Sequence, residues 1–349
     1  MNGLGNPFLT VIEVSYDPRR RTTDSIELPL SKSISNRLLI LQKLYPGTIE
    51  VPEHSDSIDT VILQRALEGG DARVDFGISG TSARFFLAYA ALRNDRRIID
   101  ASGRGRKRPI RPLFESLEHI GAEFEYLEEP YHFPVRLRKA IAKGGPIAVD
   151  MESSSQFASA LALIAPQVPG GLAIKLQGKQ SSMAYLEMTI DVLRQLGCLV
   201  TYDGSEISIP YQNKISPQKL KVERDWSAAA YVFEHLLLKA ETNPINLPGL
   251  SFESMQADRQ IVDYLSSYGI RVQTMDNALR AYKSQVAEPE YGAFDFGRCP
   301  DLSVALAFTW AAAKVNVRLT GLNTLRDKES DRWRLLEYNI SRISSISVD

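Results

Sequence analysis

Four polar helix starts recur along this chain at nearly one interval. Thr81, Ser155, Ser227 and Asp301 lie 74, 72 and 74 residues apart. Each sits in a polar loop that runs into a helix of small apolar residues: GISGTSARFFLAYAAL from Gly77, MESSSQFASALALIAP from Met151, VERDWSAAAYVFEHLLL from Val222 and GRCPDLSVALAFTWAAA from Gly297. A related stretch, SKSISNRLLILQ from Ser31, comes earlier at a shorter interval, 48 residues from Ser33 to Thr81. A second series falls between these: LFESLEHIGAEFEY, TIDVLRQLGCLVTY and QIVDYLSSYGIRVQT, each reading as amphipathic helix, glycine, strand. Their glycines, Gly121, Gly197 and Gly269, are 76 and 72 residues apart and suit the left-handed turn that ends a helix. Alternation such as Glu206-Ile207-Ser208-Ile209 marks strands. Near-equal intervals with matching composition indicate a duplicated unit of about 73 residues holding two helices and several strands. Helices of small apolar residues with few charges are buried helices. The expectation is an α/β (α+β) fold with helices inside, sheets outside, and several polar helix starts converging on one cleft.

Composition limits what that cleft can bind. A length of 349 residues suggests about two domains, and a net charge of −1 argues against bulk attraction to nucleic acid or membrane. Anion binding must therefore come from local basic clusters. Cys198 and Cys299 form no framework, and His54, His119, His132 and His235 are scattered, so neither a metal site nor a cofactor is expected. The N-terminal residues lack the pattern of a signal peptide and no apolar run spans a bilayer, which predicts a cytoplasmic protein; it is expected to be a monomer acting on small molecules. The densest local cluster is LPLSKSISNRLLILQ, Leu28 to Gln42. Ser33 or Ser35 is expected to cap a helix there, and Lys32 and Arg37 add two cationic groups at an anion-attracting helix start.

Seven motifs in order, SKSISNR, GTSAR, RPIRPLFESL, SSQFASAL, DWSAAAY, PDLSVALA and DKESDR, resemble the 5-enolpyruvylshikimate-3-phosphate synthase family, the 3-phosphoshikimate 1-carboxyvinyltransferases, from about residue 25 to about residue 340. The resemblance implies a two-domain inside-out α/β barrel of βαβαββ units. One domain would span about residues 26–221; the second would join residues 1–25 to residues 222–349. It also implies transfer of the enolpyruvyl group of phosphoenolpyruvate to the 5-hydroxyl of shikimate-3-phosphate, with release of phosphate, between domains that close on the substrates. Such a reaction must hold two phosphates and two carboxylates and must move protons at one hydroxyl and one carbon.

By this resemblance Lys32, Ser33 and Arg37 contact shikimate-3-phosphate, and Lys32 also lies near phosphoenolpyruvate. Ser154, Ser155 and Ser182 hold the shikimate phosphate, while Gln156 and Tyr185 line its ring. Gly80, Thr81, Arg84 and Arg108 form the phosphoenolpyruvate side, shared with Gln156. The rest of the basic run, Arg104, Arg106 and Lys107, is expected to be solvated surface. Asp301 matches the base for the 5-hydroxyl, at a position where a helix cap is the plainer expectation. Glu329 matches the group handling the methyl proton; Lys328 and Arg332 hold phosphoenolpyruvate, and Lys328 also reaches the shikimate side.

The chain departs from the family pattern at Leu30, where glycine is usual, and at Ile78 and Thr324, where polar side chains are usual. The repeat interval also expects a sixth polar loop near residue 375, past Asp349, with Ser344 standing where a glycine is expected. On that ground impaired catalysis, or a chain that binds shikimate-3-phosphate only, is the alternative expectation. UDP-N-acetylglucosamine enolpyruvyl transferase is a further one, which Lys32-Ser33 argues against because that enzyme is expected to carry Lys-Asn and a reactive cysteine.

Overall fold

The computed structural model describes residues 24–180, 182–239, 243–285 and 291–345. Its first segment contains α1 (Lys32–Leu44), β1 (Ile49–Glu50) and α2 (Ile58–Glu68). A complete βαβαββ unit follows: β2 (Arg73–Asp75), α3 (Gly80–Arg93), β3 (Ile98–Asp100), α4 (Arg111–His119), β4 (Glu123–Tyr126) and β5 (Val135–Lys139). The next unit repeats it: β6 (Gly145–Asp150), α5 (Gln156–Ile164), β7 (Leu172–Gln177), α6 (Met183–Gln195), β8 (Thr201–Tyr202) and β9 (Glu206–Ile209). The two sheets have one topology, β2-β3-β5-β4 and β6-β7-β9-β8, with the first pair parallel and the rest antiparallel.

The short first interval now has a cause. β10 (Gln218–Lys219) returns from far along the chain to pair in parallel with β1. The first unit thus takes a strand from residues 218–219, and α2 leads directly into β2 without a hairpin of its own. Beyond it lie α7 (Trp226–Leu238), β11 (Ile245–Pro248), α8 (Ile261–Ser266), β12 (Ile270–Met275) and β13 (Ala278–Lys283), in a sheet ordered β11-β13-β12. Ser25 bridges in parallel to Asn246 on β11, at the place a first strand would take. The last described unit is β14 (Tyr291–Asp295), α9 (Leu302–Ala312), β15 (Asn316–Thr320) and α10 (Arg332–Ile340), with β14 and β15 parallel. Most of residues 1–25, expected to join the second domain, and the last four residues lie outside the described residues, and among those described no sheet closes on itself.

Two apolar cores organise these units. One draws on residues 34–222 and is centred on α1, α3 and α5; nearly every residue of α5 is buried. The other draws on Leu28 and residues 226–325, around α7 and α9, with Trp226 and Trp310 fully buried. Helices therefore lie inside and sheets outside, as their small apolar faces require. Gly121, Gly197 and Gly269 all have positive φ, the backbone a helix-ending turn needs.

The expected cap of α1 is corrected. The helix begins at Lys32, so Ser33 and Ser35 lie within its first turn; Ser31 holds the cap position without a side-chain bond. The reason lies in tertiary contact: the Ser31 N–H donates to the Glu223 carbonyl, and the Ser35 hydroxyl accepts from the Ser55 N–H.

Candidate active site

The starts of α1, α3, α5 and α6 face the start of α9 and the turn before α10 across the seam between the two cores. Asp301 stands at the cap position of α9 but makes no capping bond. Its carboxylate is turned to the seam instead: Lys328 Nζ lies 3.1 Å away, Arg332 donates at 3.0 Å, and the Tyr185 hydroxyl donates at 3.1 Å from the other core. Arg332 also donates to Glu329 at 2.7 Å, and Glu329 meets Arg108 of the first half at 3.4 Å. Burial by itself would raise the Asp301 carboxyl, but the Lys328 and Arg332 charges outweigh it and hold that carboxyl well below the usual range. Glu329 follows the same pattern: burial opposes ionisation, while Arg332 and then Arg108 bring the net direction down.

On the first-half side, Arg108 is buried beneath the start of α3 and donates to the Ile78 carbonyl at 3.1 Å. Gly80 makes this possible, since a Cβ there would lie 2.4 Å from the Arg108 guanidinium carbon. The Arg108 Nε is buried with no partner. Arg84 is buried too, donating to the Gln156 side chain and the Pro109 carbonyl at 2.5 Å each, and the Gln156 amide donates to Thr81 at 2.8 Å. A cleft with about 330 Å³ of empty space runs from Arg84 and Arg108 past Ser154, Ser155 and Gln156 to Ser182 and Lys328. Ser182 adopts a left-handed backbone at φ +57°, its N–H donates to the Gly297 carbonyl across the seam, and its buried hydroxyl is unpartnered. Thr324, buried on the opposite wall, likewise has an unpartnered hydroxyl.

Lys32 and Ser33 are half-buried at the start of α1, and Ser33 lines a second cleft of about 300 Å³ on the other side of Tyr185. Arg37, expected to contact shikimate-3-phosphate, is withdrawn from solvent at the base of the site. It is 1% exposed and donates to the Thr189 hydroxyl, the Ser33 carbonyl and the Tyr185 carbonyl at 2.6–2.8 Å. The guanidinium lies beneath the site, tying α1 to α6. Arg104 and Lys107 of the basic run are exposed, as expected, although Arg104 also donates across the seam to the carbonyls of Arg326 and Lys328; Arg106 is half-buried instead and pairs with Asp100 and Glu128.

With this geometry in view, the comparisons with known proteins are specific. The model of the EPSP synthase (3-phosphoshikimate 1-carboxyvinyltransferase) family matches residues 27–345. The chain belongs to the EPSP synthase family. It is 31% identical over 331 residues to a 3-phosphoshikimate 1-carboxyvinyltransferase of Bacteroides fragilis, covering 93% of this chain and 79% of that one. With the enzyme of the same name from Vibrio cholerae serotype O1 it shares 27% over 360 residues, 95% of this chain and 83% of the relative. EPSP synthase from Acinetobacter baumannii has the same fold, with a TM-score of 0.68 at 20% identity over 90% of this chain and 77% of that structure.

Two acidic residues beside this EPSP synthase-family site escaped the sequence reading. Asp59 receives the Lys32 ammonium at 3.0 Å. Asp258 is 5% exposed, borders the second cleft, and has the Ser227 hydroxyl as a donor. Burial pushes its carboxyl up to about 7, against the Ser227 hydrogen bond. The motif SMQAD carried no chemical signal by itself, because a lone aspartate before a short helix reads as an exposed first-turn acid.

Proposed function

We propose that this chain transfers the enolpyruvyl group of phosphoenolpyruvate to the 5-hydroxyl of shikimate-3-phosphate, releasing phosphate. The observation that carries the reading is the Asp301–Arg332–Glu329 chain, flanked by Lys328 and Arg108, set across a cleft from Ser154, Ser155 and Ser182. Hydroxyls at a buried helix start suit the phosphate of shikimate-3-phosphate, and Gln156 and Tyr185 border its ring. Lys32, Gly80, Thr81, Arg84, Arg108, Lys328 and Arg332 form the phosphoenolpyruvate side. The buried hydroxyl of Ser182 and the buried Nε of Arg108, both unpartnered, leave hydrogen-bonding capacity that such anions can use.

The ion pairs suggest how the carboxylates become active. In the resting protein Lys328 and Arg332 hold the Asp301 carboxyl low, which makes it a weak base. An arriving phosphate and carboxylate compete for the same two cations. As those cations turn to the substrate, the basicity of Asp301 rises and it takes the proton of the 5-hydroxyl. The oxygen then bonds to C2 of phosphoenolpyruvate while C3 gains a proton. Glu329, freed in the same way from Arg108 and Arg332 and protonated from solvent as its basicity rises, donates that proton to C3 and takes one back from the new methyl group as the C2–O bond to phosphate breaks; the departing phosphate carries off the proton held by Asp301. Lys32 assists by countering the charge on the transferring group.

A phosphate-release assay tests the proposal. Phosphate is expected when both substrates are present, and none when either is omitted or when UDP-N-acetylglucosamine replaces shikimate-3-phosphate. Binding of shikimate-3-phosphate by calorimetry without any phosphate release would reduce the function to binding.

A further inference from the structure

Lys32 is the one expected site cation in the first half whose side chain meets a carboxylate of that same half: its Nζ lies 3.0 Å from Asp59 Oδ2, with side-chain exposures of 42% and 22%. Asp59 is the second residue of α2, but it is not needed to cap that helix, because the Ser57 hydroxyl accepts from the Thr60 N–H. Its backbone is fixed separately. The Asp59 carbonyl accepts from Ser82 Oγ at 2.8 Å, and Ser82 is in turn bonded to Ser79 and Asn36, which locks the starts of α1, α2 and α3 together. The carboxylate is thus presented on a rigid support to a single ammonium.

We infer that Asp59 is a positioning residue for the reaction: it holds the Lys32 ammonium on the first-half wall, apart from Asp301 and Glu329, so that Lys32 meets the transferring group from the opposite side. The inference rests on the placement of Lys32 in the site proposed above. Lys32 sits in the field of three carboxylates, Asp59, Glu329 and Asp301. Without Asp59 the ammonium is drawn toward the other two, where it would add to the cations already quenching Asp301. Asp59 also maintains the charge itself. Burial lowers the Lys32 ammonium, and Asp59 is the largest influence that outweighs it and leaves the net direction upward.

The experiment is a double-mutant cycle on the full chain, reading kcat/KM for phosphoenolpyruvate as a function of pH. Asp59→Asn is expected to lower kcat/KM about 10- to 100-fold and to move the alkaline limb of the profile to lower pH. Asp59→Glu restores most of the loss. In a Lys32→Met background Asp59→Asn adds less than about twofold, because there is no ammonium left to hold. Circular dichroism checks that each variant is folded, and the glutamate variant serves if the asparagine one is not. An equal loss from Asp59→Asn in both backgrounds, or an alkaline limb that stays put, overturns the inference as merely structural. Loss in Lys32→Met with full activity in both Asp59 variants overturns it while leaving Lys32 in the site. Full activity in Lys32→Met removes Lys32 from the site, and the inference with it.

Discussion

Arg37 and Arg84 in the first half, and Lys328 and Arg332 in the second, are all cations withdrawn from solvent, yet their partners differ. Arg37 and Arg84 are 1% and 3% exposed and donate to backbone carbonyls and uncharged side chains of neighbouring helices and loops. Lys328 and Arg332 are half-buried and meet carboxylates, Asp301 and Glu329, that are themselves candidates for proton transfer. A guanidinium that stitches two helices has nowhere to go when a substrate arrives. A cation paired to a half-buried carboxylate can exchange that partner for a phosphate of like charge. Arg37 and Arg84 therefore give the first half a rigid wall, while Lys328 and Arg332, with Arg108 facing Glu329 from the first half, supply the charges that rearrange.

The largest effect should test the rearranging side. Asp301→Ala and Glu329→Gln should each lower turnover by roughly two to four orders of magnitude with the fold retained; steady-state phosphate release reads this directly. Activity within a few-fold of the parent in both variants would leave the second half without its chemical role.

Arg37→Ala breaks the comparison from the other side. It should cost about 2–4 kcal/mol of stability, because it removes three hydrogen bonds, two of them joining α1 to α6, and empties the space of a fully buried side chain. Urea unfolding measures this, and a stability loss under about 1 kcal/mol with large loss of shikimate-3-phosphate binding would return Arg37 to the substrate wall.

Two aspartates, Asp301 half-buried and Asp258 buried, sharpen the comparison within the second half. Asp301 has cations and lies below its ordinary value; Asp258 meets a hydroxyl and lies near 7. Their signs oppose. The stabilising contribution of Asp301 is present above the unfolded value, about 3.9, and is lost as pH falls below it. That of Asp258 is full below about 3.9 and is lost as pH rises through about 7. Asp258→Asn should thus raise stability at pH 8 by about 2–4 kcal/mol and leave it little changed near pH 4. Thermal melts across that range check the slope, and equal melts at pH 8 would show that Asp258 is ionised without penalty.

The smallest effect concerns the first-half hydroxyls. Ser155→Ala combined with Ser182→Ala should weaken shikimate-3-phosphate binding at least roughly tenfold, about 1.4 kcal/mol. Titration calorimetry decides it, and unchanged affinity removes these serines from the phosphate site.

The recurring helix starts at Thr81, Ser155, Ser227 and Asp301 correspond to α3, α5, α7 and α9, so the repeat, the buried helices and the glycine turns were all legible from spacing and composition. Those features arise from period and local conformation, which a linear chain displays directly. The motifs also named most side chains that line the seam. What the sequence could not display was the partner of each polar group. Ser35 reads as a cap and instead receives the Ser55 N–H. Arg106 reads as solvated and is tied to Asp100 and Glu128, while Arg37 reads as a substrate ligand and joins α1 to Thr189, 152 residues on. Asp59 and Asp258 had no distinguishing neighbours in sequence, because the Lys32 ammonium lies 27 residues from one and the Ser227 hydroxyl 31 residues from the other. By itself the sequence determined the repeated unit, its buried helices and the family. Only the tertiary structure decided which charges are fixed and which are exchangeable, because that depends on the distances and desolvation created when helix starts far apart in the chain meet at one seam.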